Sequence, residues 1–209
     1  MDADLDLLLT AVFCTADDLL PKRAGNARRR VSDAEVVTLC VAQAIMGVPS
    51  DPRFLAIATR RLAHLFPQLP QRPGYFKRRA RLSDTIEALI AEFAHHCAGW
   101  DDDLLLVDST PVECARSVET TRRSALGDAA DYGYCASHSR FFWGFRLHAL
   151  FAMDGTPRAL SLTSPKTGER DVCLDLLARV PRAGKVVVLG DKGYAGRESA
   201  PTPHSSVRP

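Results

Sequence analysis

Hydrophobic positions change their spacing near residue 100. Before it, apolar residues recur at helical intervals. Leu5, Leu8, Leu9, Val12 and Phe13 fall at i, i+3, i+4, i+7 and i+8, one face of a first helix. Ser32 and Glu35 form a capping-box pattern ahead of Val36 to Met46, a run apolar nearly all round that predicts a buried second helix. Asp51-Pro52 predicts a third helix, with Asp51 as cap and Pro52 at the first helical position. Ser83 or Asp84 caps a longer one, whose stripe is Ile86, Leu89, Ile90, Phe93 and Cys97. Pro67, Pro70 and Pro73 mark a non-helical connector.

After residue 100 the pattern becomes that of strands. Leu104 to Val107 is a short continuous apolar run, predicting a buried strand that ends at Asp108. Residues 114–140 are polar, Arg-rich and Gly-containing, and read as a loop. Phe141 to Met153 predicts a long strand, Asp154-Gly155 a hairpin turn and Arg158 to Leu162 the returning strand. Asp171 to Val180 predicts a short helix, and Lys185 to Leu189 a buried strand ending at Gly190-Asp191. The last ten residues have no periodicity and three prolines, which predicts disorder. The chain therefore reads as α/β: a helical region over 1–99, a mixed sheet over 100–199, and a tail over 200–209.

Composition narrows the class. With 209 residues, 46% hydrophobic and 25% charged, the chain is an ordinary globular one, which excludes collagen-like and wholly disordered readings. No apolar run reaches the roughly 18 residues of a membrane-spanning helix. The N-terminus is acidic where a signal peptide is basic, so the expected location is the cytoplasm, with no membrane partner. Six scattered cysteines without a CxxC pair read as buried thiols of a reducing compartment.

The net charge of +2 hides an asymmetry. Residues 19–81 hold 13 Lys/Arg against three acids, clustered at Lys22-Arg23, Arg28-Arg29-Arg30, Arg60-Arg61 and Lys77-Arg78-Arg79 with Arg81. Such a footprint suits nucleic-acid phosphates; a solvated basic face is the alternative. Helices around 52–64 and 74–82 suggest a helix-turn-helix-like unit.

The sharper feature is a pair of aspartates. Asp108 follows one apolar strand and Asp191 another. Carboxylates on rigid strand ends can converge on Mg²⁺, which prefers oxygen ligands, and such ions promote phosphodiester attack. Turn-forming aspartates are the plainer reading. Trp143, Phe145, Leu147 and Ala149 alternate onto one face of the long strand as core, with Phe142, Gly144, Arg146 and His148 on the other. Arg146 and His148 read either as phosphate or metal-site contacts or as a structural pair. Arg116, Arg122, Arg123 and Arg140 read either as DNA contacts or as solvation of the loop. Cys135-x-x-His138 has no second Cys/His pair to complete a zinc site. His95-His96 are expected to meet carbonyls at a helix end.

The segments LLLVDSTPVE, GYCASHSRFFWGFRLHALFAMDGTP and VVVLGDKGYAGRE, in that order, resemble the catalytic domain of bacterial insertion-sequence transposases of the DDE type. The N-terminal stretches LLLTAVFCTADDLL, RRRVSDAEVVTLCVAQAIMG and LAHLFPQLP are similar to the same family, so the match spans roughly residues 5–198. The resemblance implies a ribonuclease H-like mixed sheet. It makes Asp108 and Asp191 the first two catalytic carboxylates, binding Mg²⁺ or Mn²⁺, and DNA the partner: transposon terminal inverted repeats and target DNA. It implies a homo-oligomer for a full-length protein. It also places Lys192 and Tyr194 within the family motif, for DNA contact or for positioning the turn. DNA-binding residues are then expected at Arg28, Arg29, Arg30, Lys77, Arg78, Arg79, Arg122, Arg123, Arg146 and Lys192.

The family's third carboxylate is a Glu on a helix after a further strand. Here 18 residues follow Asp191, and Glu198 is the sole acid among them, too early for that role. The expectation is an incomplete sheet in a truncated or frame-disrupted transposase, weakly active or inactive. A catalytically dead protein occupying transposon ends and a metal-dependent nuclease unrelated to transposition are the competing readings.

Overall fold

The computed structural model describes residues 2–21, 30–115, 117–135, 139–180 and 184–194. The chain divides into two compact units, Met1–Phe93 and Ala94–Pro209. The proposed disordered tail lies outside the described residues.

The first unit contains α1 (Asp2–Leu19), α2 (Asp33–Ile45), α3 (Asp51–Arg61), α4 (Arg72–Arg81) and most of α5 (Ser83–His95). The capping box forms as expected. Glu35 N–H donates to Ser32 Oγ at 3.0 Å, and Ser32 N–H donates to Glu35 Oε2 at 2.5 Å. Behind this cap, Val36, Val37, Leu39 and Ala42 are wholly buried. Each such Val or Leu contributes roughly 1.5–3 kcal/mol by leaving water. On α1 the buried line is Leu5, Leu9, Val12 and Ala16; Leu8 and Phe13 are exposed, because the 4-3-4 spacing is what faces α2.

Asp51 is not the cap of α3. Ser50 occupies that position without a side-chain bond. The Asp51 carboxylate instead accepts from Gln43 Nε2 at 3.1 Å and from Arg79 at 2.8 and 3.2 Å. The buried Tyr75 hydroxyl donates to Gln43 Oε1 at 2.7 Å and its ring stacks on Phe54 at 6.1 Å. Burial pushes the Tyr75 hydroxyl far above its ordinary pKa, so it stays a donor. Pro73 lies in the first turn of α4 and not in the connector, where a missing N–H costs nothing. Residues 62–71 separate α3 from α4, longer than the roughly 3–4-residue turn of a helix-turn-helix, so that geometry is not formed.

In the second unit, a 3₁₀ turn (Ala98–Asp101) leads into β1 (Leu104–Ala115). Then come α6 (Val118–Arg122), β2 (Asp131–Cys135), β3 (Arg140–Ala152), β4 (Pro157–Thr163), α7 (Glu169–Arg179) and β5 (Val187–Leu189). β3 runs antiparallel to β1 along its length. On its other edge it pairs β2 over 140–144 and β4 over 146–151. The chain then crosses through α7 and returns as β5, parallel to β1. Ignoring β2, the order β4-β3-β1-β5 is the ribonuclease H-like order. Leu105, Val107, Leu150 and Ala152 face α7 and meet its Val172, Cys173 and Leu176.

Three expectations for the strand region fail in detail. The region read as a loop contains α6 and β2, and β1 runs on through Asp108 instead of ending there, because β3 supplies backbone partners as far as Ala115. β5 is three residues long with Val187 and Leu189 exposed, and among the described residues it lies at the edge of the sheet and not buried within it. The cysteines also divide: Cys135 and Cys173 are buried, Cys40 is half-buried, and Cys14, Cys97 and Cys114 are exposed, none of them in a disulfide. Among the described residues no helix is long and apolar enough to cross a membrane. His95 packs edge-on against Trp100 at 5.3 Å and against His96 at 5.5 Å.

Candidate active site

Two neighbouring parallel strands set the level of the two aspartates. The register pairs Leu104 with Val187, Leu105 with Val188 and Leu106 with Leu189. Asp108 stands two residues past Leu106, and Asp191 two residues past Leu189. Strands so paired run about 4.8 Å apart. The approach continues past the last pair: a Cβ at Gly190 would sit 2.6 Å from Val107 Cγ1, so glycine lets the chain leave β5 flat against β1. By strand alternation Leu105 and Val107 face α7, and Asp108 points to the opposite face with Leu106.

Both carboxylates are exposed. Asp108 Oδ1 accepts the Ser109 N–H at 2.7 Å. Asp191 Oδ1 accepts the Gly193 N–H at 2.9 Å, closing a turn in which Tyr194 N–H also donates to Asp191 O at 3.2 Å. Each bond orients a carboxylate through one oxygen. The donor set, two exposed carboxylates at one level, fits a hard divalent cation of the Mg²⁺ class. Among the described residues no group of three or more His, Cys, Asp and Glu is arranged to hold a metal ion.

The turn bearing Asp191 is anchored from below. The Tyr194 hydroxyl and His148 Nδ1 share a hydrogen bond of 2.8 Å. His148 is completely buried in β3, between Ser109 of β1 and Ser161 of β4. Desolvation, and then the nearby Arg146 charge, hold the imidazole below its ordinary pKa, which keeps it neutral. Burial pushes the Tyr194 hydroxyl up, opposed by a Ser109 hydrogen bond and reinforced by the negative charges of Glu169, Asp108 and Asp191. Tyr194 is therefore a protonated phenol among three carboxylates.

Glu169, at the start of α7, is the site residue that sequence reasoning missed. It ion-pairs with Arg146, and its carboxylate lies so close to Gly193 that a Cβ there would overlap it. The only sequence signal was its position after Gly168 at the start of a helix. Arg146 is thus committed to Glu169, and it also donates to the Tyr134 carbonyl at 3.3 Å.

The remaining expected DNA contacts fall into four groups. Arg28 and Arg29 lie outside the described residues, as do Arg116, His138 and Glu198. Arg30, Lys77, Arg122 and Lys192 are exposed. Arg78 and Arg79 are turned inward: Arg78 donates to Asp33 at 2.6 and 3.0 Å, and Arg79 grips Asp51 while lying over the Tyr75 ring at 5.4 Å. Arg123 pairs with Glu119 at 2.7 Å across one helical turn.

An antiparallel sheet, a helical crossover and a parallel strand carrying the second of two level aspartates define a ribonuclease H-like domain with an acidic rim. Residues 99–203, half of the chain, match the family model for the transposase DDE domain, and the chain belongs to that family. A solved structure, the Drosophila P element transposase strand transfer complex, is similar at 16% identity with a TM-score of 0.41. The alignment covers 92% of this chain and 41% of that one. No curated protein matches the chain.

Proposed function

We propose that the chain is the strand-cleaving and strand-joining core of an insertion-sequence transposase, with Asp108 and Asp191 together holding Mg²⁺ or Mn²⁺. The observation that carries this reading is the equal offset of the two aspartates on adjacent parallel strands. A bound divalent ion supplies Lewis-acid charge for attack on a phosphodiester and for the departing 3′-oxygen.

The chain's own residues hold the rim still. Ser109 and Gly193 N–H groups fix one oxygen of each carboxylate. The Tyr194–His148 bond ties the Asp191 turn to the centre of the sheet. Glu169, clamped by Arg146, closes over Gly193 and blocks the turn from shifting. The exposed cations Arg30, Lys77, Arg122 and Lys192, with Arg28 and Arg29, contact phosphates of the terminal repeats and the target. The helical region supplies most of the non-specific attraction, and a homo-oligomer brings two ends together.

The second reading is a DNA-binding protein that occupies ends without cutting them. It draws on the finding that no third His, Cys, Asp or Glu joins the pair among the described residues. The test is cleavage of plasmid DNA carrying the element's terminal repeats in Mg²⁺ or Mn²⁺. The transposase reading predicts cleavage that Asp108→Asn reduces by more than about 100-fold, since even a residue that only supports a metal ligand is worth about 10–100-fold. Binding to the ends without cleavage by the unaltered chain supports the second reading instead.

A further inference from the structure

The β2–β3 hairpin carries a group of aromatic side chains that the acidic rim does not use. Tyr132 pairs in register with Trp143, and Tyr134 with Phe141, so all four project from one face of the hairpin. Phe141 is 77% exposed, Tyr134 48% and Tyr132 49%, while Trp143 is a buried floor. The Tyr134 and Phe141 rings meet at 5.0 Å. Beside them opens a cleft of about 370 Å³, whose walls include Tyr132, Phe141 and Trp143 and whose polar edge is Arg140 and Glu113, an ion pair at 3.6 Å. The Thr121 hydroxyl meets the Tyr132 hydroxyl at 3.3 Å, which brings α6 with Arg122 and Arg123 beside the same end.

Among the described residues three large rings stand exposed around the Arg140–Glu113 pair, and exposed apolar clusters rimmed by polar groups mark interaction surfaces. Their chemistry fits a flat π-system with hydrogen-bonding edges: aromatic faces stack on a base, Arg donates to guanine N7 and O6, and Glu accepts from a cytosine amino group. The position fits too. By strand alternation the face with Phe141 and Trp143 is that of Ala149, the register partner of Asp108. Six residues of β3 separate Trp143 from Ala149, about 20 Å at roughly 3.3 Å per residue.

We propose that this cleft receives an unpaired nucleobase of the DNA strand that leaves the acidic rim. Phe141 and Tyr132 stack on the base, and Arg140 and Glu113 address its edge. The proposal rests on Asp108 marking the point of cleavage, but its test does not. Binding is measured with a single-stranded 12-nucleotide DNA in EDTA, by quenching of Trp143 fluorescence in a Trp100→Phe background and by anisotropy of the labelled strand. The expected result is quenching, with affinity falling about tenfold or more in Phe141→Ala and, separately, when central nucleotides are replaced by abasic ones. Phe141→Ala is expected to leave duplex binding, melting temperature and the salt slope unchanged, because it removes a stacking surface and no phosphate contact.

Equal affinity for intact and abasic strands overturns the proposal, as does equal binding by Phe141→Ala. Self-association abolished by Phe141→Ala, with single-strand binding unaltered, also overturns it and assigns the face to a second copy of the chain. Failure of cleavage with intact base-dependent binding would instead defeat the transposase reading and leave the cleft standing.

Discussion

His148 is the residue where burial and function meet most directly. It lies at the centre of the sheet, neutral, with its one hydrogen bond reaching the turn that presents Asp191. Its folded pKa is depressed and its unfolded one is near 6.5. The unfolded chain therefore binds the extra proton first, and stability present above about pH 6.5 is lost as pH falls below it. Melting temperatures of the second unit are expected to drop between about pH 7 and pH 5 and to drop less in His148→Asn, which has no titrating group. A parallel decline in both proteins would show that other groups set the acid sensitivity. As candidates, Asp108 and Asp191 stand out in the sequence because each closes an apolar strand segment, LLLV and VVVLG. Glu169 does not, because its role comes from Gly193 and Arg146, which are distant in sequence.

At the level of elements, the strongest local signals match the structure, while the Asp51 cap and the Pro73 connector do not. The β3–β4 hairpin announces itself by a long apolar stretch and Asp154-Gly155, and α2 by its capping box. The extent of β1 was hidden because DSTPVEC has no strand pattern of its own; it is extended by its pairing with β3. Pro111 is tolerated there because β5 pairs β1 over residues 104–106, which leaves the rest of that edge without a ladder partner in β5. β2 was hidden behind polar and glycine residues, although Tyr132 and Tyr134 alternate. The turn after β5 has no room for a side chain at residue 193 while Glu169 keeps its place. Gly193→Ala places a methyl group on the Glu169 carboxylate, which must swing aside and loosen its pair with Arg146, so the expected cost is about 1 kcal/mol with reduced cleavage activity. The double variant Gly193→Ala, Glu169→Ala relieves the overlap, so recovery of the melting temperature identifies the clash as the cause.

For the whole molecule, the basic excess over residues 19–81 was legible as a total but not as a surface. Arg78 and Arg79 are bound to Asp33 and Asp51 in half-buried pairs, where they join α4 to α2 and α3. Counting every Lys and Arg as a phosphate contact therefore overstates the interface. Arg78→Gln is expected to cost about 1–2 kcal/mol of stability for a partly buried pair, seen as a lower melting temperature, with little change in the salt dependence of DNA binding. Lys77→Gln is expected to do the reverse, reducing the slope of log K against log salt by about 0.9. The opposite pattern would move Arg78 from the core to the interface.

The central claim is that Asp108 and Asp191 act as one metal-holding pair. Mn²⁺ titration followed by electron paramagnetic resonance on the full chain tests it without DNA or turnover. The account predicts a Mn²⁺ site that Asp108→Asn and Asp191→Asn each remove while the melting temperature holds. A Mn²⁺ site unchanged in both variants, or lost in one and intact in the other, would contradict it.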